Sequence, residues 1–261
     1  MPIELPSSLT FEALGSVGVL RLSRAAKRNA LDDETVNGLG HFFRQVPDGI
    51  GAIVLAGDGP HFCAGLDLAG ASATPDLLHG ILHSRLWHRA FHDIQFGRVP
   101  AVCVLHGAVV GGGLELAAAT HVRVAEPSAY YALPEGQRGL FLGGGGSVRI
   151  PRLIGTQMVM DMMLTGRTLS AEQGQTAGIS QYLTPEGGGL AKGIELARQI
   201  AANAPMSNFA IIQALPRNAE GDPGTGYFTE ALMAGAAETS PEAKQRLADF
   251  LAKKAGKVTN T

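Results

Sequence analysis

Apolar positions along the chain follow two rhythms. Short apolar runs bounded by glycine or proline, "VGVLRLSR" from Val17, "GAIVLAG" from Gly51 and "PAVCVLHG" from Pro100, predict buried strands. Between them, "DDETVNGLGHFFRQV", with Asp32 or Asp33 as its N-cap, and "TPDLLHGILHSRLWHRAFHDI", with apolar positions three and four apart, predict helices. After Pro151 the helical rhythm dominates, in "TQMVMDMMLTG", "GLAKGIELARQIAANA", "MSNFAIIQALP", "GYFTEALMAGAAE" and "SPEAKQRLADFLAKKAG". The pattern predicts an α/β body over residues 1–190 and a helical C-terminal region over residues 191–261 that serves assembly or covers a site.

Composition narrows the partners. The chain has 261 residues, 45% hydrophobic and 17% charged, enough for one large core with an appendage. A formal net charge of -2 supplies no field for gathering phosphate backbones, so nucleic acid is not the expected partner. Cys63 and Cys103 lie in apolar surroundings without CxxC spacing, which fits reduced thiols, and "MPIELPSSLT" lacks the features of a signal peptide. A cytoplasmic protein is expected. Residues 101–120 have the length of a membrane span, but His106 and Glu115 would both lie in hydrocarbon, the acid alone costing about 3 kcal/mol. A strand, a turn and a helix explain the same letters, and no membrane partner is expected.

That stretch holds the most informative chemistry. "AVVGGGLELAAAT", residues 108–120, sets three glycines before an apolar helical run carrying one carboxylate, Glu115. A dinucleotide fingerprint from Gly111 fails because its third glycine would fall at Leu116; a P-loop from Gly107 fails because Gly113 and Leu114 stand where Lys and Ser or Thr are needed. What remains is a strand turning into a helix whose first N–H groups are free to receive an oxyanion, with glycines that let a carbonyl approach the backbone. Glycines that merely permit tight packing remain the alternative. An unpaired carboxylate buried there would cost several kcal/mol, so Glu115 is a candidate for chemistry unless it faces solvent. Glu135, in "ALPEGQRGLFLGGGGSVRIPRLIG", is a second acid on a glycine-framed turn, and two such groups are able to exchange protons with a bound substrate.

Five segments in order resemble the enoyl-CoA hydratase/isomerase (crotonase) superfamily: "LSRAAKRNALD", "GPHFCAGLDL", "HGAVVGGGLELAAATHVRVA", "YYALPEGQRGLFLGGGGSVRIPRLIG" and "SPEAKQRLADFLAKK". The resemblance implies a crotonase-like spiral of repeated ββα units with C-terminal helices that build a homotrimer, or a hexamer as a dimer of trimers. It implies an acyl-CoA thioester substrate, with no cofactor beyond CoA and no metal. Leu66 and Gly112 match the family's oxyanion-hole amides, and Glu115 and Glu135 match its two hydratase carboxylates. Lys27, Arg28, Ala30, Ala64, Leu68 and Lys253 match positions along the CoA path. The implied reaction is reversible hydration of a 2-enoyl-CoA to a 3-hydroxyacyl-CoA through a stabilised thioester enolate. A double-bond isomerase or a C–C bond hydrolase on the same scaffold, and a non-catalytic acyl-CoA binder, are the alternatives.

The chain departs from the family pattern after Glu135, where Gly136, Gln137 and Arg138 replace an aliphatic continuation and "LFLGGGG" lacks a proline. Arg138 is therefore either a surface or inter-subunit contact or a recogniser of a second carboxylate on the acyl chain. His88 and His92, four apart on a helix, have neither HExxH context nor an evident third metal ligand and read as a polar face. His61 and Cys63 lack the PCxxC of a zinc deaminase.

Overall fold

The structure is a computed structural model that describes residues 4–69 and 76–252. The first sheet is built from β1 (Leu9–Leu14), β2 (Val17–Leu22), β3 (Ala52–Gly57), β4 (Ala101–Leu105), β6 (Val122–Ala125) and β9 (Tyr182–Leu183), hydrogen-bonded in that order. The β1–β2 hairpin is antiparallel and the remaining pairings are parallel. Every residue of β3 and β4 is buried, because parallel strands in the middle of a sheet are covered on both faces.

Strand alternation divides these side chains between two cores. Val17, Val19, Val54, Val102, Val104 and Val124 face α7 (Gly189–Ala201), which contributes Leu196 and Ala197. Leu20, Leu22, Ile53, Leu55, Cys103 and Leu105 belong to the larger core, with residues of α1 (Asp33–Arg44), α2 (Leu77–Gln95) and α3 (Gly112–Ala118). Asp32 is the N-cap of α1, its carboxylate accepting from Thr35 N–H at 2.9 Å.

A second sheet consists of β5 (Ala108–Val110), β7 (Tyr130–Ala132) and β8 (Leu169–Ser170). The strand expected to turn straight into a helix after Gly107 instead turns there, forms β5, and only then enters α3. The parallel rungs Cys63↔Val109 and Val109↔Tyr131 stack three successive turns of chain above one another. Each turn runs from the first sheet to the second and on to a helix: β3, Cys63 and α2; β4, β5 and α3; β6, β7 and α4 (Gly146–Ile154). This is the expected spiral of ββα units. The helices α5 (Thr156–Thr165) and α6 (Ala171–Ala177) follow before β9.

The chain divides into two compact units, Met1–Ala201 and Ala202–Thr261. The helix α7, beyond residue 190, belongs to the first because it lies on the sheet. In the second, α8 (Pro205–Asn218), α9 (Pro223–Thr239) and α10 (Pro241–Leu251) each begin on proline, and the Asp222 and Ser240 side chains cap α9 and α10. Among the described residues no helix is long and apolar enough to cross a membrane.

Candidate active site

Glu115 sits in the first turn of α3 and is only 3% exposed. The glycine tract before α4 folds over it, so that Glu115 Oε1 accepts from Gly144 N–H at 2.8 Å and from Gly146 N–H at 2.7 Å. Only glycine fits there: a Cβ on Gly146 would lie 2.5 Å from Glu115 Cγ. Burial pushes the Glu115 carboxyl above its ordinary range, while the main-chain donors at Gly146 and Gly144 and the Arg149 charge act in the opposite direction.

Glu135 precedes the short 3-10 turn Gly136–Arg138. Its Oε2 is shielded from solvent and has no hydrogen-bond partner among the described residues. Burial, reinforced by the Glu115 charge and offset in part by Arg138, raises its pKa to about 7. Both carboxylates line one cavity of about 190 Å³, together with Ala64, Leu66, Leu68, Gly112 and Arg138.

The floor of that cavity is made where two loops cross. Cys63 N–H donates to Ala108 O and Val110 N–H to Cys63 O, pinning the 63–66 loop against β5. On the other side Leu31 N–H donates to Gly65 O and Asp67 N–H to Leu31 O, which turns the intervening Leu66 N–H the opposite way. The loops approach so closely that a Cβ on Gly65 would lie 3.2 Å from Gly112 N, and one on Gly112 would lie 3.6 Å from Leu66 N. Among the described residues neither the Leu66 nor the Gly112 N–H has an acceptor. Two adjacent donors therefore border a cavity that two acids also line, an arrangement able to hold an oxyanion and exchange protons beside it.

The positions matched to CoA do not all gather there. Ala64 and Leu68 line the cavity. Lys27 lies beside the same loop, its Nζ 2.9 Å from Asp67 Oδ2. Arg28 and Ala30 follow on that turn: Arg28 has φ 52 and is exposed, and Ala30 O accepts from Arg24 Nη1. Lys253 lies outside the described residues.

Several residues at this site carried no mark in the sequence. Trp87 on α2 would meet a Cβ on Gly112 at 2.7 Å, and its Nε1 donates to Asp33 Oδ1, which also pairs with His83 Nε2 at 2.9 Å. Their spacing on α2 marked a buried face but not which cavity it borders. Arg149 donates to Gly144 O and to Gln95 Oε1, bracing the glycine turn. Arg24 bridges Asp32 and Asp67, each at 2.8 Å, and with Lys27 holds the Asp67 carboxyl down at about 2. Among the described residues no cluster of three or more His, Cys, Asp or Glu is arranged to hold a metal ion.

The stacked ββα turns and the helical C-terminal region define a crotonase fold. The chain belongs to the enoyl-CoA hydratase/isomerase family, whose profile matches residues 12–258. A Rhodopseudomonas palustris CGA009 protein provisionally named enoyl-CoA hydratase has 51% sequence identity and a TM-score of 0.92, over 97% of this chain and 98% of that one. An enoyl-CoA hydratase from Bacillus anthracis is 25% identical with a TM-score of 0.88, over 95% of this chain and 97% of its own. Enoyl-CoA hydratase EchA19 of Mycobacterium tuberculosis is 30% identical over 220 residues, 78% of each protein. Fatty acid oxidation complex subunit alpha of Shewanella amazonensis is 39% identical over 149 residues; these are 56% of this chain but 21% of that subunit.

Proposed function

We propose that the protein catalyses reversible hydration of a 2-enoyl-CoA to a 3-hydroxyacyl-CoA. The observation that carries this reading is that Glu115 and Glu135 line the same cavity as the unpaired Leu66 and Gly112 amides. Those two amides receive the thioester oxygen, drawing electron density from Cβ, and each donor of such a hole is worth about 3 kcal/mol in the barrier. Glu115, whose Oε1 is held by two main-chain donors that offset part of the effect of burial, removes a proton from water as the oxygen bonds to Cβ. The resulting enolate takes a proton at Cα from Glu135, whose pKa of about 7 lets it carry one at neutral pH. Dehydration reverses both transfers, and exchange with solvent resets the pair. No cofactor beyond CoA is used.

The CoA arm follows Lys27, Arg28, Ala30, Ala64 and Leu68. A homotrimer, or a dimer of trimers, is supported by large apolar side chains left exposed on the C-terminal helices, among them Phe209, Leu215, Tyr227, Phe228 and Phe250. A cytoplasmic location fits this metabolite chemistry.

Following the enoyl-thioester absorbance of crotonyl-CoA and longer enoyl-CoAs tests the reading. Wild type should bleach the band, and Glu115→Gln and Glu135→Gln should each lower kcat by about 10²-fold or more. Binding of enoyl-CoAs with no bleaching of any by wild type would make the protein a binder. Conversion of a 3-enoyl-CoA to its 2-isomer that survives in Glu115→Gln would make it an isomerase.

A further inference from the structure

We propose that Arg138 forms the binding site for a carboxylate at the far end of the acyl chain, so that the substrate class is the CoA monothioester of a short unsaturated dicarboxylic acid. This deepens the acyl-CoA reading and rests on it. The argument starts from how the lining is used. Glu115 is engaged by Gly144 and Gly146, and His83 is engaged by Asp33. Leu66, Leu68, Trp87, Pro134, Leu140 and Phe141 give the cavity its apolar surface. Among the described residues Arg138 is the lining cation that makes no ion pair within 4 Å and no side-chain hydrogen bond; it is exposed at the cavity's edge, and the carboxylate its charge acts on is that of Glu135.

Its place in the chain fixes what it would meet. Arg138 N–H donates to Glu135 O at 3.0 Å, which sets this lining residue at the end of a 3-10 turn that begins at one of the two acids. A thioester seated on the Leu66 and Gly112 amides puts Cα and Cβ beside Glu115 and Glu135, and the acyl carbons that follow enter the space Arg138 borders. A cavity of about 190 Å³ is smaller than the pockets that take drug-sized ligands, which suits a tail of a few atoms. A hydrocarbon tail would bring methyl groups against a guanidinium and gain nothing from it, whereas a carboxylate matches its fork of donors in a two-pronged pair.

Saturated analogues separate this site from the chemistry, because they bind without reacting. Titrating the full-length protein with glutaryl-CoA and with butyryl-CoA by calorimetry should show about tenfold tighter binding of the diacid thioester. In Arg138→Gln the ratio of the two affinities should fall to about one, and added salt should shrink it in wild type. The ratio cancels whatever the substitution does to Glu135 or to the CoA arm. Equal wild-type affinities, or a preference that persists in Arg138→Gln, would overturn the proposal. A preference that depends on Arg138, with neither glutaconyl-CoA nor crotonyl-CoA hydrated, would leave the tail site standing and remove the hydratase reading alone.

Discussion

Gly146 holds Glu115 from two directions at once: its N–H donates to Glu115 Oε1 at 2.7 Å, and the space where its own Cβ would stand is filled by the Glu115 side chain. The donor and the missing methyl are thus one requirement. Gly146→Ala should push the carboxylate out of line and lower kcat by about 10²-fold, with a stability loss of about 1–3 kcal/mol from overpacking. Steady-state kinetics and thermal melts of the purified variant check both, and a variant with wild-type kcat would show that the contact does not set the acid's position.

Glu135 gives the pH dependence a direction. With a folded pKa of about 7 against an ordinary 4.5, the folded state holds a proton that the unfolded state releases between those values. Stability from this group is therefore fully present below 4.5 and is lost as pH rises through 7. Glu135→Gln should melt higher than wild type at pH 8 while the two proteins melt alike at pH 4. In wild type, hydration needs the Glu135 proton, so kcat/KM for a 2-enoyl-CoA should fall as pH rises through about 7, and dehydration, which needs the same single proton shared between the two acids, should fall in parallel. A kcat/KM for hydration that stays level or rises through pH 7 would contradict the assignment of the proton donor.

What the sequence displayed, and what it hid, follows from how each feature is encoded. The runs that became β2, β3 and β4 were legible because central strands need unbroken apolar stretches, and Glu115 was legible because a charge interrupts such a run. The strand β5 was not, since its three residues follow β4 after one tight turn and share its apolar character. The donors to Glu115 were hidden because a main-chain N–H carries no residue signature; "GGGG" states that backbone can approach closely but not what it approaches. Leu66 and Gly112 became candidates through family likeness rather than through their own chemistry.

Lys27 has two possible employers, and its neighbours show how to tell them apart. Its Nζ and Arg24 Nη2 both reach Asp67 Oδ2, so Lys27→Ala leaves Asp67 with a guanidinium and the loop with its main brace. Removing an exposed ion pair of that kind should cost about 1 kcal/mol or less. If Lys27 also meets a CoA phosphate, free CoA should bind about threefold to tenfold more weakly to Lys27→Ala, and the difference should shrink as salt is raised. Calorimetry at low and high salt reads this, and unchanged CoA affinity would restrict Lys27 to Asp67.

Gly112 is where substrate room and core packing compete most directly. Its N–H is one of the two unpaired donors, and a methyl at its Cα would meet the Trp87 ring at 2.7 Å while lying 3.6 Å from the Leu66 amide. Trp87 is 3% exposed and tied to Asp33, so it has little freedom to withdraw. The added methyl should displace the Gly112 N–H and intrude on the carbonyl's seat, lowering kcat by about 10²-fold, the size expected for losing one oxyanion donor. Free CoA, which lacks the acyl carbonyl, should bind Gly112→Ala as it binds wild type. Trp87→Leu should return part of the lost kcat in the double variant, because the clash with the ring is then relieved. Coupling between the two substitutions, measured as a double-mutant cycle on kcat, is the outcome expected of residues in contact, and strict additivity would mean that Trp87 does not set the position of this amide.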